Sequence, residues 1–486
     1  MPKSDLTKRE INCGCILTKR ENNDILISGS VMFMYRNAIT ELERWKDNPR
    51  RKPMMVWGAR QVGKTYLIKD IFADTYYKGS YIYIDCRVEN DICDFCEDHV
   101  SAKEIVEFIS ATKNRRIDEN VLLIFDEIQE CPALITALKY FCQDMRNIPV
   151  IATGSMVRIK LQRLNKKRGK GSNAKPFLFP VGKINQTTIY PMSYDEFLLN
   201  YNRRLYDLIC DAYRKKEPLD EAYHNAALET VYKYLLIGGM PDAVQTFLDT
   251  DSYFEAREVL TDLYDNYLSD MELYQASPEA IVRSRKIFGS IYAELNKDSK
   301  NFKSGLIEKG SRTRDMRSPI DWLTMAYFVH QSFQLGEPIT LPLLNDDDST
   351  FRLFLADAGM FAYQSGINSA SFISGDTKNT LSGIFFENFI ANELVAKGNK
   401  LFYWRGRNDA EFEFIAESNG KIYPIDVKKG RGSLNSLGKF SEHNEYEKAI
   451  KVARSNYGYN EEKRILTVPF YMFFLVAEDL SAGREL

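Results

Sequence analysis

Short hydrophobic runs separated by longer amphipathic spans organise the first half of this chain. MMVWG (54–58), YIYIDC (81–86), VLLIFDE (121–127), PVIATGS (149–155) and INQTTIYPM (184–192) have the length of strands, and the spans between them are long enough for crossover helices. Such alternation predicts a parallel α/β sheet, because parallel neighbours need long, covering connections. Arg36 to Trp45 reads as the first helix and Tyr66 to Phe72 as another. Residues 1–31 mix charges without periodicity and are expected to form an extension, with the α/β core over 32–200.

Beyond residue 200 the pattern turns helical. Residues 201–277 read as a helical lid or connector, broken at Gly238-Gly239-Met240-Pro241. Residues 278–345 hold two helices and a hairpin-like tail, with Ser318-Pro319-Ile320-Asp321 as a helix start, which fits a winged-helix-like unit. Asp346-Asp347-Asp348 marks a loop, after which helix and strand patterns return over 346–486. There Leu381 to Asn388 opens a helix, and LFYWR (401–405), AEFEFIAE (410–417) and KIYPIDVKK (421–429) read as strands, the last two joined by a Ser-Asn-Gly turn. The longest apolar run, Ile465 to Ala477, is interrupted by Pro469 and falls short of the roughly 20 residues a membrane span requires. It reads as a buried strand.

Composition narrows the class. Across 486 residues, 44% are hydrophobic and 27% charged, which excludes a disordered chain, and a formal charge of -2 excludes a wholly basic nucleic-acid binder. Any polyanion site must therefore be local. From Met145 to Tyr194 there is no acidic residue, against ten cations: Arg146, Arg158, Lys160, Arg163, Lys166, Lys167, Arg168, Lys170, Lys175 and Lys183. That span reads either as a phosphate-backbone contact or as a solvated loop. The opening MPKSDLTKRE lacks a signal-type apolar segment, so a cytoplasmic location, no membrane partner and reduced cysteines are expected. Cys93 and Cys96 form a lone CxxC; joined by Cys13 and Cys15 they would supply four thiolates, but without zinc-knuckle context the thiols read as buried or surface groups.

The chemistry concentrates at two places. Gly58-Ala59-Arg60-Gln61-Val62-Gly63-Lys64-Thr65 matches GxxxxGK[ST] between an apolar strand and a helix-like segment, the context a phosphate loop requires. Its glycines let backbone N–H groups curl round the phosphates of ATP, Lys64 reaches the β- and γ-phosphates, and Thr65 binds Mg²⁺. Leu122 to Phe125 then runs into Asp126 and Glu127, the form of a Walker B element, with Asp126 on the Mg²⁺ and Glu127 polarising the attacking water. Thr153-Gly154-Ser155 ends the fourth strand, where Ser155 offers an exposed hydroxyl to the γ-phosphate or the water.

The order GARQVGKT, LLIFDEIQ, IATGS, YPMSYDEF and GGMP resembles the prokaryotic AAA+ ATPases whose C-terminal half is DUF4143, a domain of unknown function. The resemblance runs from about Met32 to the chain end. It implies a five-stranded AAA+ core, use of ATP and Mg²⁺, and a DNA-related or defence role. Where that family carries Gly-Arg before the fifth strand, this chain has Gly182-Lys183; Lys183 cannot make the two-pronged contact of an arginine finger, which leaves Arg158 or Arg163 as alternatives.

In the C-terminal part, Glu413 and Asp426-Val427-Lys428 stand on neighbouring strands, with Asp426 and Lys428 on one face. This arrangement resembles the PD-(D/E)xK nucleases, a restriction-endonuclease-like α/β fold. The resemblance maps a metal site onto Glu387, Glu413 and Asp426, with Lys428 beside it, although the metal-facing Asp of the family is Glu413 here. Two functions compete. One is an ATPase that controls a DNA-engaging nuclease-like module; the other is an ATP-switched binding protein whose inactive nuclease-like domain docks a protein partner.

Overall fold

A computed structural model describes residues 34–155, 157, 160–161, 177–275, 277–345, 347–367, 381–407, 410–428 and 434–486. The first sheet holds β1 (Met54–Trp57), β2 (Tyr81–Asp85), β3 (Leu122–Asp126), β4 (Val150–Gly154) and β5 (Asn185–Thr188) in the order β2-β3-β4-β1-β5. All four pairings are parallel. The three central strands are buried at every residue, which is why they read as continuous apolar runs, whereas edge strand β2 alternates. Helices Asn90–Asp98, Ala102–Thr112 and Pro132–Asp144 bury their apolar stripes in the core that covers this sheet, around Ile105, Leu134 and Phe141. Register sets the site. Trp57 is level with Gly154, and Phe125 with Ala152, so the segments after β1, β3 and β4 emerge at one edge. In open parallel sheets ligands bind at the carboxyl ends of the strands.

The helical stretch follows as Arg203–Lys215, Glu221–Ile237, Pro241–Thr250 and Tyr253–Tyr274. The break after Ile237 is a packing requirement. A Cβ on Gly239 would overlap the Met192 backbone, and one on Gly238, at φ +76°, would meet Asp357 and Gly359.

Helices Pro278–Leu295 and Thr313–Met325 lead into β6 (Val329–Gln334), which pairs antiparallel with β7 (Phe351–Leu355) and parallel with β8 (Phe402–Arg405). This sheet, completed by β9 (Glu411–Phe412), therefore bridges residues 345 and 346, where the sequence pattern places a domain boundary. The last sheet is mixed: β10 (Phe414–Ser418), β11 (Lys421–Lys428), β12 (Ala449–Ala453), β14 (Ile465–Pro469) and β13 (Gly458–Asn460), in that order. Asn419 and Gly420, both at positive φ, close the β10–β11 hairpin as the Ser-Asn-Gly turn predicts.

Two expectations need correction. The helix read from Ser318 starts at Thr313, with Pro319 inside it. The carbonyl that Pro319 leaves unbonded, that of Asp315, is approached by Arg283 Nη1 at 3.5 Å, so the tertiary structure supplies a donor that the proline cannot. The run Ile465–Ala477 is strand only to Pro469; a short 3₁₀ turn and the helix Phe473–Ala482 complete it, the apolar composition running on unbroken from strand to helix. Among the described residues, no helix is long and apolar enough to cross a membrane.

Candidate functional site

The loop after β1 is built for close backbone approach. Gly58 has φ +147° and a Cβ there would overlap the Ile189 carbonyl oxygen, while Gln61 and Gly63 also sit at positive φ. Lys64 is buried and turns its ammonium onto the loop carbonyls of Gly58 (3.1 Å) and Ala59 (2.7 Å). Burial pulls its pKa down to about 8 against the opposing pull of Glu127 and Asp126. The helix that follows, Tyr66–Ala73, is wound as a π-helix.

Asp126 is the hub of the opposite wall. Its Oδ2 accepts from Thr65 Oγ1 at 2.8 Å and from Tyr83 OH at 2.7 Å, and its Oδ1 accepts from the Thr153 hydroxyl. Glu127 is left-handed (φ +51°), a costly backbone for a non-glycine residue, and its N–H donates to Thr153 Oγ1 at 3.1 Å. The Gln129 amide donates to the Glu127 carboxylate. Thr153 and Ser155 are buried, where an exposed hydroxyl was expected at this strand tip, and Ser155 Oγ has no hydrogen-bond partner. The donor set suits a magnesium nucleotide: a glycine cradle, a buried lysine, a hydroxyl and a carboxylate 2.8 Å apart, and an unpaired hydroxyl nearby in sequence to Thr153.

Arg36, Asp270 and Gln129, to which the sequence pattern assigns no role, brace this site. Arg36 Nη1 donates to Val62 O and Nη2 to Tyr190 O, each at 2.7 Å, and Arg36 also pairs with Glu196 at 3.3 Å. Arg60 reaches Asp270 on the Tyr253–Tyr274 helix at 2.7 Å. Gln129 is the third, and the quoted DEIQ string was its only signal. The spacing around Arg36 and Asp270 carries no signal, since both act across long sequence separations.

Arg158, Arg163, Lys166, Lys167, Arg168, Lys170 and Lys175 lie outside the described residues, as do Cys13 and Cys15. Lys160 pairs with Glu130, and Lys183 is partly exposed. Cys93 and Cys96 are free thiols.

Glu387, Glu413, Asp426 and Lys428 lie in one cluster, with additions. Glu387 lies on the buried helix Gly383–Ala396, Glu413 between β9 and β10, and Asp426 and Lys428 on β11. Lys428 Nζ meets Asp426 Oδ1 at 2.6 Å, and Glu413 Oε2 accepts from the Val427 N–H at 3.0 Å. Burial, then neighbouring Asp426, push Glu413 up to about 7. Lys300 enters from the helical region: its ammonium donates to both oxygens of Glu387 at 2.7 and 2.8 Å and lies 3.6 Å from Glu411. Arg352 holds Glu411 at 2.8 Å. Among the described residues no group of three or more His, Cys, Asp and Glu side chains is set to hold a metal ion. The carboxylates do not fit a divalent ion as arranged, because an ammonium stands among them.

A parallel sheet with a glycine-rich phosphate loop after β1 and an Asp-Glu pair after β3 defines a P-loop nucleotide-binding domain. Residues 50–198 match the family model described as an AAA domain, residues 228–371 match a domain of unknown function, DUF8612, and residues 382–473 match another, DUF4143. The chain thus joins an AAA-type P-loop ATPase domain to a C-terminal DUF4143 domain. It is 26% identical over 253 residues to the uncharacterized protein MJ1637 of Methanocaldococcus jannaschii, a match spanning 47% of this chain and 48% of that protein. Among solved structures, similarity extends to the Walker-type ATPase PABY2304 of Pyrococcus abyssi (TM-score 0.40, 17% identity, 68% of this chain and 96% of that one). It extends also to a DNA replication initiation factor (TM-score 0.22, 13% identity, 60% and 75%).

Proposed function

We propose that this chain hydrolyses ATP and uses the nucleotide cycle to control its C-terminal module. The observation that carries the reading is the meeting of Lys64, Thr65, Asp126 and Glu127 at one sheet edge, with Thr65 hydrogen-bonded to Asp126 and Glu127 held through Thr153 and Gln129. In this reading Lys64 exchanges its loop carbonyls for the β- and γ-phosphates, which neutralise an ammonium that burial alone disfavours. Thr65 and Asp126 would hold Mg²⁺, which when bound offsets phosphate charge. Glu127 accepts the proton of the attacking water, Gln129 orients its carboxylate, and Ser155 contributes a hydroxyl beside the reacting phosphate.

Control is supported by a chain of buried polar contacts. Arg36 ties the phosphate loop at Val62 to Glu196; the adjacent Asp195 pairs with Lys397 at 2.6 Å, and the Tyr194 N–H donates to Glu393 at 2.8 Å. Glu393 lies on the same helix as Glu387. The partner that best suits the chain is DNA, from the nuclease-like resemblance of the C-terminal module and the acid-free span 145–194 of the nucleotide domain. A second reading, an inactive nuclease-like domain docking a protein, is favoured by one observation: Lys300 bonded to Glu387.

The test is ATP turnover by the full chain, with and without DNA. Expected is Mg²⁺-dependent release of phosphate that falls by about 10² in Glu127→Gln while nucleotide affinity is kept. Turnover no faster in the parent than in that variant, with and without DNA, refutes the hydrolase reading. DNA binding whose affinity drops steeply with salt supports the first partner; binding absent at low salt supports the second.

A further inference from the structure

The C-terminal cluster holds four carboxylates, Glu387, Glu411, Glu413 and Asp426, and three cations, Lys300, Lys428 and Arg352, joined by close ion pairs and the Glu413 contact to the Val427 backbone. Two of the cations suit ordinary charge balance. Lys428 stays beside Asp426 on its own strand, and Arg352, which is 1% exposed, is clamped between Glu411 and the Tyr403 ring. Lys300 is different. It bonds both oxygens of Glu387, so both atoms that could serve a metal are engaged by the ammonium.

The segment that carries it is secured to the same neighbourhood. Asn301 Oδ1 accepts from Tyr403 OH at 2.8 Å and from Arg352 Nε at 3.4 Å, and the Phe302 N–H donates to Phe351 O at 2.9 Å, with the two rings stacked. Lys300 is thereby delivered to the carboxylates by a short, anchored turn.

An ammonium is a compact point charge with three donors, and it satisfies carboxylate oxygens at about 2.8 Å, whereas Mg²⁺ and Mn²⁺ demand near-octahedral oxygen ligands at about 2.1 Å. With the ammonium on both oxygens, the two cations compete for Glu387. Three cations already offset all but one of the four carboxylate charges, so a divalent ion added beside Lys300 would leave an excess positive charge in a buried site, where charges are poorly screened.

We infer that Lys300 takes the place of the divalent cation at the Glu387–Glu413–Asp426 cluster, so that the cluster binds Mg²⁺ or Mn²⁺ only when Lys300 is withdrawn or removed. Nothing in this exchange depends on ATP turnover, so its failure leaves the ATPase reading untouched.

The probe is Mn²⁺ itself, titrated by electron paramagnetic resonance without nucleotide, with the full chain carrying Asp126→Ala to silence the ATP site. Lys300→Met is expected to gain one Mn²⁺ site at least tenfold tighter than any in the Lys300 protein, and adding Glu387→Gln should abolish it. Lys300→Arg, which keeps a cation, should gain none. Because Lys300→Met leaves Glu387 unpaired, Lys300→Gln provides a neutral hydrogen-bonding alternative, and circular dichroism checks folding of both. The parent arm is decisive by itself: Mn²⁺ binding by the Lys300 protein that Glu387→Gln removes overturns the inference, even if both neutral variants misfold. A folded neutral variant that binds no more Mn²⁺ than the parent also overturns it.

Discussion

Asp270 ties the Tyr253–Tyr274 helix to the phosphate loop, and its ionisation provides a quantitative check. Its side chain is 2% exposed and only one oxygen is bonded, to Arg60; the other has no partner. Burial raises its pKa from 3.8 to about 6, with Arg60 opposing and Glu127 adding to the rise. A carboxyl whose folded pKa is raised contributes stability that is present below the unfolded value and is lost as pH rises through the folded one. Each pKa unit is worth about 1.4 kcal/mol, so the interval from 3.8 to about 6 corresponds to about 3 kcal/mol lost by neutral pH. Of this, about 2 kcal/mol falls between about pH 4.5 and 7. Asp270→Asn cannot ionise. Whatever constant change the amide makes to the Arg60 contact, the stability of the variant relative to the parent should climb by about 2 kcal/mol across that range. Urea denaturation of both proteins at four pH values, in the same buffer, measures it. A stability difference that stays flat, or that moves toward the parent as pH rises, refutes the burial argument for Asp270.

Other predictions follow from the two sites. Lys64→Ala should remove ATP binding in a calorimetric titration, because the phosphates lose their buried cation while the glycine cradle remains. Gln129→Ala should leave nucleotide affinity intact and lower turnover by about tenfold, since the carboxylate of Glu127 loses the amide that orients it. Arg36→Ala should destabilise the fold by about 3 kcal/mol, as it leaves Glu196 buried without its cation and frees two loop carbonyls; thermal unfolding reads this. Neutralising Lys166, Lys167 and Arg168 together should weaken DNA binding across sequences and flatten its salt dependence, seen in titrations at several salt concentrations.

The nucleotide domain was legible because its signals are local. A phosphate loop needs glycines at fixed spacing, and a strand buried on both faces reads as an unbroken apolar run, so β1, β3 and β4 and their terminal residues could be placed from sequence. The β10–β11 hairpin was legible for the same reason, through its turn residues. What escaped depends on distance along the chain. Arg36 meets Val62 across 26 residues, Arg60 meets Asp270 across 210, and Lys300 meets Glu387 across 87, and no periodicity encodes such pairings. The helix at Thr313 and the strand-to-helix change at Pro469 failed differently. Pro319 reads as a helix start by its usual rule but sits inside a helix, whereas Pro469 does end its strand, and the apolar run that continues past it hides the change to helix.

The buried helix Gly383–Ala396 gives the proposed control a physical form. Near its C-terminal end, Glu393 bonds the Tyr194 backbone, and burial, with Asp195 adding to the effect, raises its pKa to about 8. Its neighbour Lys397 pairs with Asp195, whose other partners include Asn37 at 2.8 Å. Near its N-terminal end, Glu387 holds Lys300. In the proposed control, a displacement of the Tyr194–Tyr201 helix moves this buried helix and shifts Glu387 against Lys300, because close-packed interiors transmit strain. On the proposed reading, nucleotide-driven movement at Val62 passes through Arg36 and Glu196 into that helix, and its consequence is read at the ion pair that excludes the metal. The coupling then has a thermodynamic signature: ATP and Mn²⁺ should each change the other's affinity by the same factor, since linkage between two sites is reciprocal. Equal affinities of the parent for ATP with and without millimolar Mn²⁺, after correction for the metal–nucleotide complex, alongside undiminished turnover, would separate the two sites energetically and leave the ATPase without this route to the C-terminal module.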